Sequence, residues 1–395
     1  MLEIILAILI GTLAGAMTGL IPGIHPNTVI FTFLPFYFIF NPDFILFMSF
    51  ISGLTVSHTL HDFLPALFLK APEADNALAS IPGLEMVADG KGRKAFMLTL
   101  VGGLSSIYVF LIMLPVLFLL ISRIYPFLES VMAYILMFFL FFIILESNSV
   151  LNAAMISLLS GVLGLLTLNS GFAQQFILMP IFAGLFAVPA IVYSLKQDFG
   201  IPQQDKGFEI ERSEAKNGAT GFSAGLLAGI VPGIGAAIAT TFLTPLMDSD
   251  RESFMTGLGG VNTSDILISF LALYLIGKPR TGSSVALETI SEVRVPEVFF
   301  LIGACIFASG IAGILAMKNL DYFLKFVRKI NFQILGLATL SVITAVVGFT
   351  TGLYGMVVYA TSIFIGTIAL LKGCWASCMS VLIFPAIQFF SGGFI

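Results

Sequence analysis

The sequence predicts an all-α polytopic membrane protein made of two inverted-topology repeats. It predicts about 10–14 membrane segments, broken or re-entrant helices included. Three observations carry this. The chain is 58% hydrophobic and 10% charged, where a soluble domain is roughly 25% charged, and its mean hydropathy is +1.05. The runs Ala95–Ser122, Ser130–Leu145, Val298–Met317 and Ile334–Gly348 contain no Lys, Arg, Asp or Glu. A helix needs ~20 apolar residues to cross the hydrocarbon, fewer with polar flanks. Finally, a glycine-rich segment that ends in Pro-Gly-Ile occurs twice.

The first copy has Gly11, Gly15 and Gly19 four apart, then Ile21-Pro22-Gly23-Ile24. The second has Gly221, Gly225 and Gly229, then Val231-Pro232-Gly233-Ile234, a shift of 210 (221 − 11). Ala14 and Pro35 match Ala224 and Pro245 at the same shift. Downstream, a shift of 207 (254 − 47) pairs Phe47-Met48 with Phe254-Met255, Gly53 with Gly260, and Ser57 with Ser264. It also pairs Phe63 with Phe270 and Pro72 with Pro279. Small residues every four positions let another backbone come close. Pro-Gly then stops the helix, because Pro removes a donor and Gly admits positive φ. The runs that follow, Thr28–Phe40 and Ala236–Leu246, are too short to span comfortably, so each break reads as a broken helix or re-entrant hairpin.

Hydrophilic stretches at Lys70–Lys94, Lys196–Asn217, Lys278–Glu297 and Lys318–Lys329 punctuate the chain. The second is the linker between a first repeat, residues 1–195, and a second, residues 218–395; the linker itself is 196–217. Basic residues put Lys70–Lys94 and Lys196–Asn217 inside. Four spans fit between them: Ala95–Ser122, Ser130–Leu145, Leu151–Leu168 and Phe176–Leu195. Lys278–Glu297 then falls outside and Lys318–Lys329 inside, which gives the repeats opposite orientations. The first 20 residues carry one charge, Glu3, with no basic start, so they read as a mature span, not a cleaved signal. Cys305, Cys374 and Cys378 lie in apolar runs and read as small apolar fillers.

All three histidines fall in the first repeat: His25, His58 and His61. His58, His61 and Asp62 share a helix face by spacing. The alignment sets His58 opposite Asp265, and Ser57 opposite Ser264. Ionisable groups inside a span mark function, and His changes charge near neutral pH. Ser57, His58, His61, Asp62 and Asp265 are thus candidates for ion coupling. Pro22, Gly23, His25, Asn27, Pro232, Gly233 and Gly235 form the candidate substrate site at the breaks, where helix ends and open amides suit an anion. Asn262, Thr263 and Ser264 add neutral polar groups. Lys70, Lys278 and Arg280 are candidate anion contacts. Competing readings stay open: packing kinks at the breaks, histidines that only bond exposed backbone, and cations that only snorkel. Two His and a carboxylate are a ligand set, but no second-helix ligand joins them, so no metal is expected. No cofactor is expected either. No Gly-x-x-x-x-Gly-Lys-Ser/Thr, Gly-x-Ser-x-Gly or His-Glu-x-x-His occurs, which argues against an ATP motor or a membrane hydrolase. The net charge of −4 is spread over loops and indicates no nucleic-acid partner.

At these residues the chain resembles the large membrane subunit, the permease, of tripartite tricarboxylate transporters. Gly19-Leu20-Ile21-Pro22-Gly23-Ile24 is followed by Pro26-Asn27 and Pro35. Pro82-Gly83-Leu84-Glu85-Met86 and Asp89-Gly90-Lys91-Gly92-Arg93 follow in family order, and the pattern recurs over Gly221–Pro245. The chain departs from the family pattern at Gly257–Asp265 and at Lys278-Pro279-Arg280, and it is short for the family. The Pro-Gly breaks are also similar to those of polyprenyl-phosphate transporters.

The resemblance implies a secondary active transporter of carboxylate anions. It would be driven by an ion gradient and fed by a soluble binding protein beside a small membrane subunit. The expectation is a multi-pass plasma-membrane protein, not an enzyme, that moves an anionic organic substrate by symport with H⁺ or Na⁺. Lipid-phosphate translocation is one alternative and a non-transporting scaffold another. Membrane lipid is a partner in every case, and a homo-oligomer is left open.

Overall fold

A computed structural model describes residues 1–21, 26–69, 80–172, 174–196, 202–210, 214–232, 234, 236–243, 250–327, 329 and 332–392. These residues are nearly all helical, and no strand occurs among them. The first half holds α1 (Leu2–Leu20), α2 (Pro26–Phe40), α3 (Phe44–His61), α4 (Phe63–Phe68), α5 (Ser80–Ala88), α6 (Gly92–Glu146), α7 (Val150–Leu168), α8 (Gln174–Phe182) and α9 (Val188–Lys196). A π turn, Ala183–Ala187, joins α8 to α9. The second half holds α10 (Glu214–Ile230), α11 (Ala236–Leu243), α12 (Arg251–Ile276), α13 (Gly282–Ile290), α14 (Val295–Val327), α15 (Phe332–Leu371) and α16 (Ser380–Phe390). A 3-10 turn, Trp375–Met379, leads into α16. Among the described residues, eight helical segments are long and apolar enough to cross a membrane.

Helix α1 shows why glycines are placed as they are. Its buried residues are Ile8, Gly11, Thr12, Gly15, Ala16 and Gly19, one narrow stripe at helical spacing. The large residues Leu2, Leu6, Ile10, Leu13 and Met17 are exposed. A membrane helix can afford this because lipid is as apolar as leucine, so small residues mark the contact face. The stripe lies on α3. A Cβ on Gly11 would strike the Phe50 carbonyl, one on Gly15 would meet Leu54 and Ser57, and one on Gly19 would meet His58 and His61. Helices α10 and α12 repeat this. Gly221 lies on Gly257, Gly225 on Val261 and Ser264, and Gly229 on Asp265 and Ile268. Adding 207 to each α3 residue gives its α12 counterpart in every case. The sequence duplication is therefore also a duplication of packing.

Within each pair the two helices run parallel, since rising numbers meet rising numbers. Between pairs the direction is opposite. Leu67, at the end of α4, and Met255, at the start of α12, both lie against Gly83. Leu60 and Thr263 both lie against Gly103 of α6. Helix α14 runs along the first pair: Ile8 packs on Ala304 and Ala308, and the Phe68 and Phe323 rings sit 6.5 Å apart.

One expectation needs correcting. The spans Ala95–Ser122 and Ser130–Leu145 are one continuous helix, α6, of 55 residues. At 1.5 Å per residue it is about 82 Å long, far more than the ~30 Å hydrocarbon core. The polar stretch between them does not turn the chain. Pro126 removes one backbone donor and is accommodated as an interior proline. Tyr125 is buried, and Glu129 is paired with Lys278 at 3.4 Å. The count of four spans between the two polar stretches therefore falls. The stretches themselves still meet: the Asp205 amide donates to the Gly90 carbonyl at 2.8 Å. Gln204, 3% exposed, accepts from the Gly92 amide at 2.6 Å and donates to the Val87 carbonyl at 3.0 Å.

The hydrophilic stretch Lys318–Lys329 lies largely within a helix. Helix α14 continues through this stretch to Val327. Lys318, Asp321 and Lys325 do not end it, because isolated charges at the polar end of a membrane helix reach the interface without breaking backbone bonds. Asp321 pairs with Arg93 there.

Candidate functional site

The described polar residues of the candidate site cluster where the glycine helices end. His58 is 1% exposed and His61 is fully buried. The Thr18 hydroxyl donates to the Gly15 carbonyl at 3.1 Å. It also shares a hydrogen bond with His58 Nδ1 at 3.0 Å, in which the ring tautomer sets the donor. His61 bridges two helices. Its Nδ1–H donates to the Ser57 carbonyl at 2.7 Å, and its Nε2 accepts from the Asn319 amide of α14 at 3.1 Å. Both ring nitrogens are used by a neutral imidazole, so a proton on Nε2 would displace Asn319. The two histidines thus differ. His61 is tied between α3 and α14, while His58 is tied to the last turn of α1, three residues before Ile21.

Asp62 caps α3 and is 7% exposed. Ser57 and Thr55 are buried, and neither hydroxyl has a hydrogen-bond partner. Such groups cost about 1–3 kcal/mol each when left unsatisfied. They are the kind of donor that a ligand or water completes.

The second half offers Asp265, half-buried, with its carboxylate beside Gly229. Asn262 is buried next to it. Thr263 and Ser264 spend their hydroxyls on their own helix, donating to Gly259 at 3.0 Å and Gly260 at 2.6 Å. Their side chains face Gly103 and Gly225. These two residues pack helices together. The polar turns of α3 and α12 are neighbours through α6, where Gly103 touches both Leu60 and Thr263. That level is about 14 Å along α6 from Lys94.

Several predicted residues lie outside the described residues: Pro22, Gly23, His25, Lys70, Gly233 and Gly235. Asn27 lies in α2 with its side chain undescribed. Pro232 is half-buried just past α10. Lys278 and Arg280 sit at the far end of α12, away from Arg251. Lys278 pairs with Glu129, and Arg280 donates to the Tyr125 hydroxyl at 2.9 Å. Beyond them Thr281 caps α13, with Ser269 and Ser284 hydroxyls within 3.1 Å. Sequence reasoning missed Thr18, Asn319 and Tyr125. Thr18 was legible as the one polar residue beside Gly15 and Gly19. Asn319 was hidden in a stretch read as polar punctuation. Among the described residues, no three His, Cys, Asp or Glu side chains are placed to hold a metal ion.

The family model described as the tripartite tricarboxylate transporter TctA family matches residues 5–379. An uncharacterized protein of Methanocaldococcus jannaschii is 29% identical over 385 residues, which is 94% of this chain and 94% of that one. No solved structure matches the chain. That family supplies the large membrane subunit of a tripartite transport system, which also has a soluble binding protein and a small subunit. The match spans nearly the whole chain, and its helices suit a multi-pass membrane protein. This protein belongs to the tripartite tricarboxylate transporter TctA family.

Proposed function

We propose that the chain is the transporting subunit of a secondary active system in the plasma membrane. It imports a carboxylate anion by symport with H⁺ or Na⁺. The single observation that carries this reading, beyond family membership, is the duplicated unit of glycine helix, Pro-Gly break and polar helix. Two such units run in opposite directions and bring polar turns against one helix, α6. Paired interrupted helices in inverted repeats are where such transporters bind substrate. We read residues 1–195 and 218–395 as the inverted repeats, and 196–217 as the tie between them.

In this reading the anion lies between the two Pro-Gly breaks, held by the amides of Gly23, Gly233 and Gly235, with His25 and Asn27 beside them. Pro22 and Pro232 stop the helices so that those amides stay open. Asn262 is the neutral polar contact from α12. His58 and Asp265, with Asp62, carry the coupling charge. Lys70, Lys278 and Arg280 draw the anion toward the entrances.

The test is uptake of radiolabelled citrate and of simpler di- and tricarboxylates into proteoliposomes, under an imposed pH or sodium gradient. Purified binding protein and small subunit would be added or omitted. Gradient-dependent accumulation of one of these anions is expected. Uptake indifferent to every gradient would sink the coupling. Transfer of a polyprenyl phosphate with no carboxylate uptake would overturn the substrate class.

A further inference from the structure

Most hydroxyls on the two polar helices spend their proton on their own backbone. In α3, Ser49 donates to the Ile45 carbonyl at 2.6 Å, Ser52 to Met48 at 2.8 Å and Thr59 to Thr55 at 3.0 Å. In α12, Thr256, Thr263 and Ser264 donate to Glu252, Gly259 and Gly260 at 3.0, 3.0 and 2.6 Å. This bond to the carbonyl four residues back is open to a serine or threonine inside a helix. Thr55 does not make it. Thr55 is 5% exposed, and its hydroxyl has no hydrogen-bond partner. Ser57 is the other exception in α3, and its place has a packing reason: it sits under Gly15, where α1 and α3 touch.

Helix geometry gives the direction of Thr55. Successive residues turn by about 100°. Thr55 therefore lies about 160° around α3 from Ser57, which meets Gly15 of α1, and about 140° from Leu60, which meets Gly103 of α6. It faces neither helix. His58 and Asp62, three and seven residues on, lie within about 60° of it and share its side. The level is equally defined. Helices α3 and α12 run antiparallel, with Leu67 beside Met255 at Gly83 and Leu60 beside Thr263 at Gly103. His58 is then level with Asp265. Asn262, 7% exposed, is the counterpart of Thr55 at the 207-residue shift. The two lie on opposite sides of the His58 level, each about 4 Å from it along the helix axis.

We propose that Thr55 is a binding residue of the transport site, its hydroxyl donating to the carried carboxylate. The assignment rests on the transport reading above and extends it to a residue that spacing did not single out. A hydroxyl with an uncommitted proton lacks an acceptor, and a carboxylate anion offers acceptors alone. A coupling cation would take the lone pairs instead and leave the proton unspent. Thr55 and Asn262 thus give the anion one neutral contact from each repeat, beside the charges of His58, Asp62 and Asp265. The orphaned hydroxyl is a cost to the unliganded protein that the bound anion removes, as expected where stability is traded for binding.

The experiment uses the full chain, purified in detergent, and compares Thr55→Val with wild type. Valine keeps the shape and removes the hydroxyl. Without substrate, its melting temperature should equal or exceed that of wild type, because the lost hydroxyl has no partner. A clearly lower value would show the hydroxyl bonded in the unliganded protein and would overturn the proposal. Citrate and simpler di- and tricarboxylates are then titrated, and the anion that stabilises wild type is the probe. Its half-saturating concentration should rise on the order of tenfold or more in Thr55→Val. Thr55→Ser should restore it. Thr59→Val, whose hydroxyl is bonded to the Thr55 carbonyl, should leave it unchanged. Thr55→Ala replaces valine if that variant fails to fold, with the same rise expected. An unchanged carboxylate titration overturns the proposal. So does a shift in half-saturating sodium alone, which would give the hydroxyl to the coupling ion. Wild type stabilised by none of these anions overturns it as well. Gradient-driven uptake in proteoliposomes is measured separately, so a failure of binding at Thr55 and a failure of the transport reading are told apart.

Discussion

The α1–α3 and α10–α12 pairs share a backbone arrangement and differ in chemistry. Each sets three glycines, four apart, on the same three turns of a polar helix. In the first pair those turns carry Ser57, His58 and His61, in the second Ser264, Asp265 and Ile268. Thr18, which holds His58, corresponds to Ala228. His61 makes one hydrogen bond to the Ser57 carbonyl and one to Asn319, where Ile268 is simply buried. The difference teaches that close helix contact is kept twice by glycine, while polar chemistry is written separately on each copy.

The largest expected effect would come from the shared feature. Gly15→Leu and Gly225→Leu each force a side chain into backbone and should cost at least ~3 kcal/mol. The loss of monodisperse protein after extraction should be similar for both. A leucine tolerated in one half alone would break the equivalence. Gly303→Ala, on an open face of α14, should change stability by no more than about 0.5 kcal/mol.

Next comes a feature of the first half only. Asn319→Leu leaves the buried Nε2 of His61 without its donor, at a cost of about 1–3 kcal/mol. Thermal unfolding in detergent measures this. Paired with His61→Leu, the double variant should lose much less than the sum, because both partners are then apolar. Full additivity would show that the bond does not matter.

Thr18→Val, which removes one hydrogen bond to His58, should cost about 1 kcal/mol. Ala228→Val tests the matching position. If His58 carries a coupling proton, His58→Gln should flatten the pH dependence of uptake, and Asp265→Asn should abolish uptake instead. An unchanged pH profile would remove His58 from coupling. Last is Arg251→Ala. Its pairs with Glu85 at 3.0 Å and Asp89 at 2.8 Å are half exposed, so the loss should stay below about 1 kcal/mol.

Much of this was legible in the sequence, and for identifiable reasons. The glycine stripe of α1 can be read because only one face of a membrane helix holds small residues. The alignment of His58 with Asp265 could be read because the repeat keeps its register. The continuity of α6 could not. Arg123, Pro126 and Glu129 resemble a loop until Tyr125 and Glu129 are seen to meet Arg280 and Lys278. Asn319 was equally hidden, since no spacing rule joins a residue to a histidine 258 positions away. Nor did spacing show that the Thr263 and Ser264 hydroxyls donate to carbonyls four residues earlier, which leaves them only lone pairs to offer.

The sequence by itself determined that the chain is helical, apolar, duplicated and asymmetric in its histidines. Composition and local spacing are enough for that, because every backbone group in lipid must be satisfied within its own helix. Only the tertiary structure decided which helices pair and in which direction. It separated two histidines of one face into a bridge and a neighbour of Thr18. It also crossed the ends of the halves, so that Ser160 meets Ser377. Those outcomes depend on long-range contacts between helices, and apolar surface alone, which is as content with lipid as with another helix, does not choose among them.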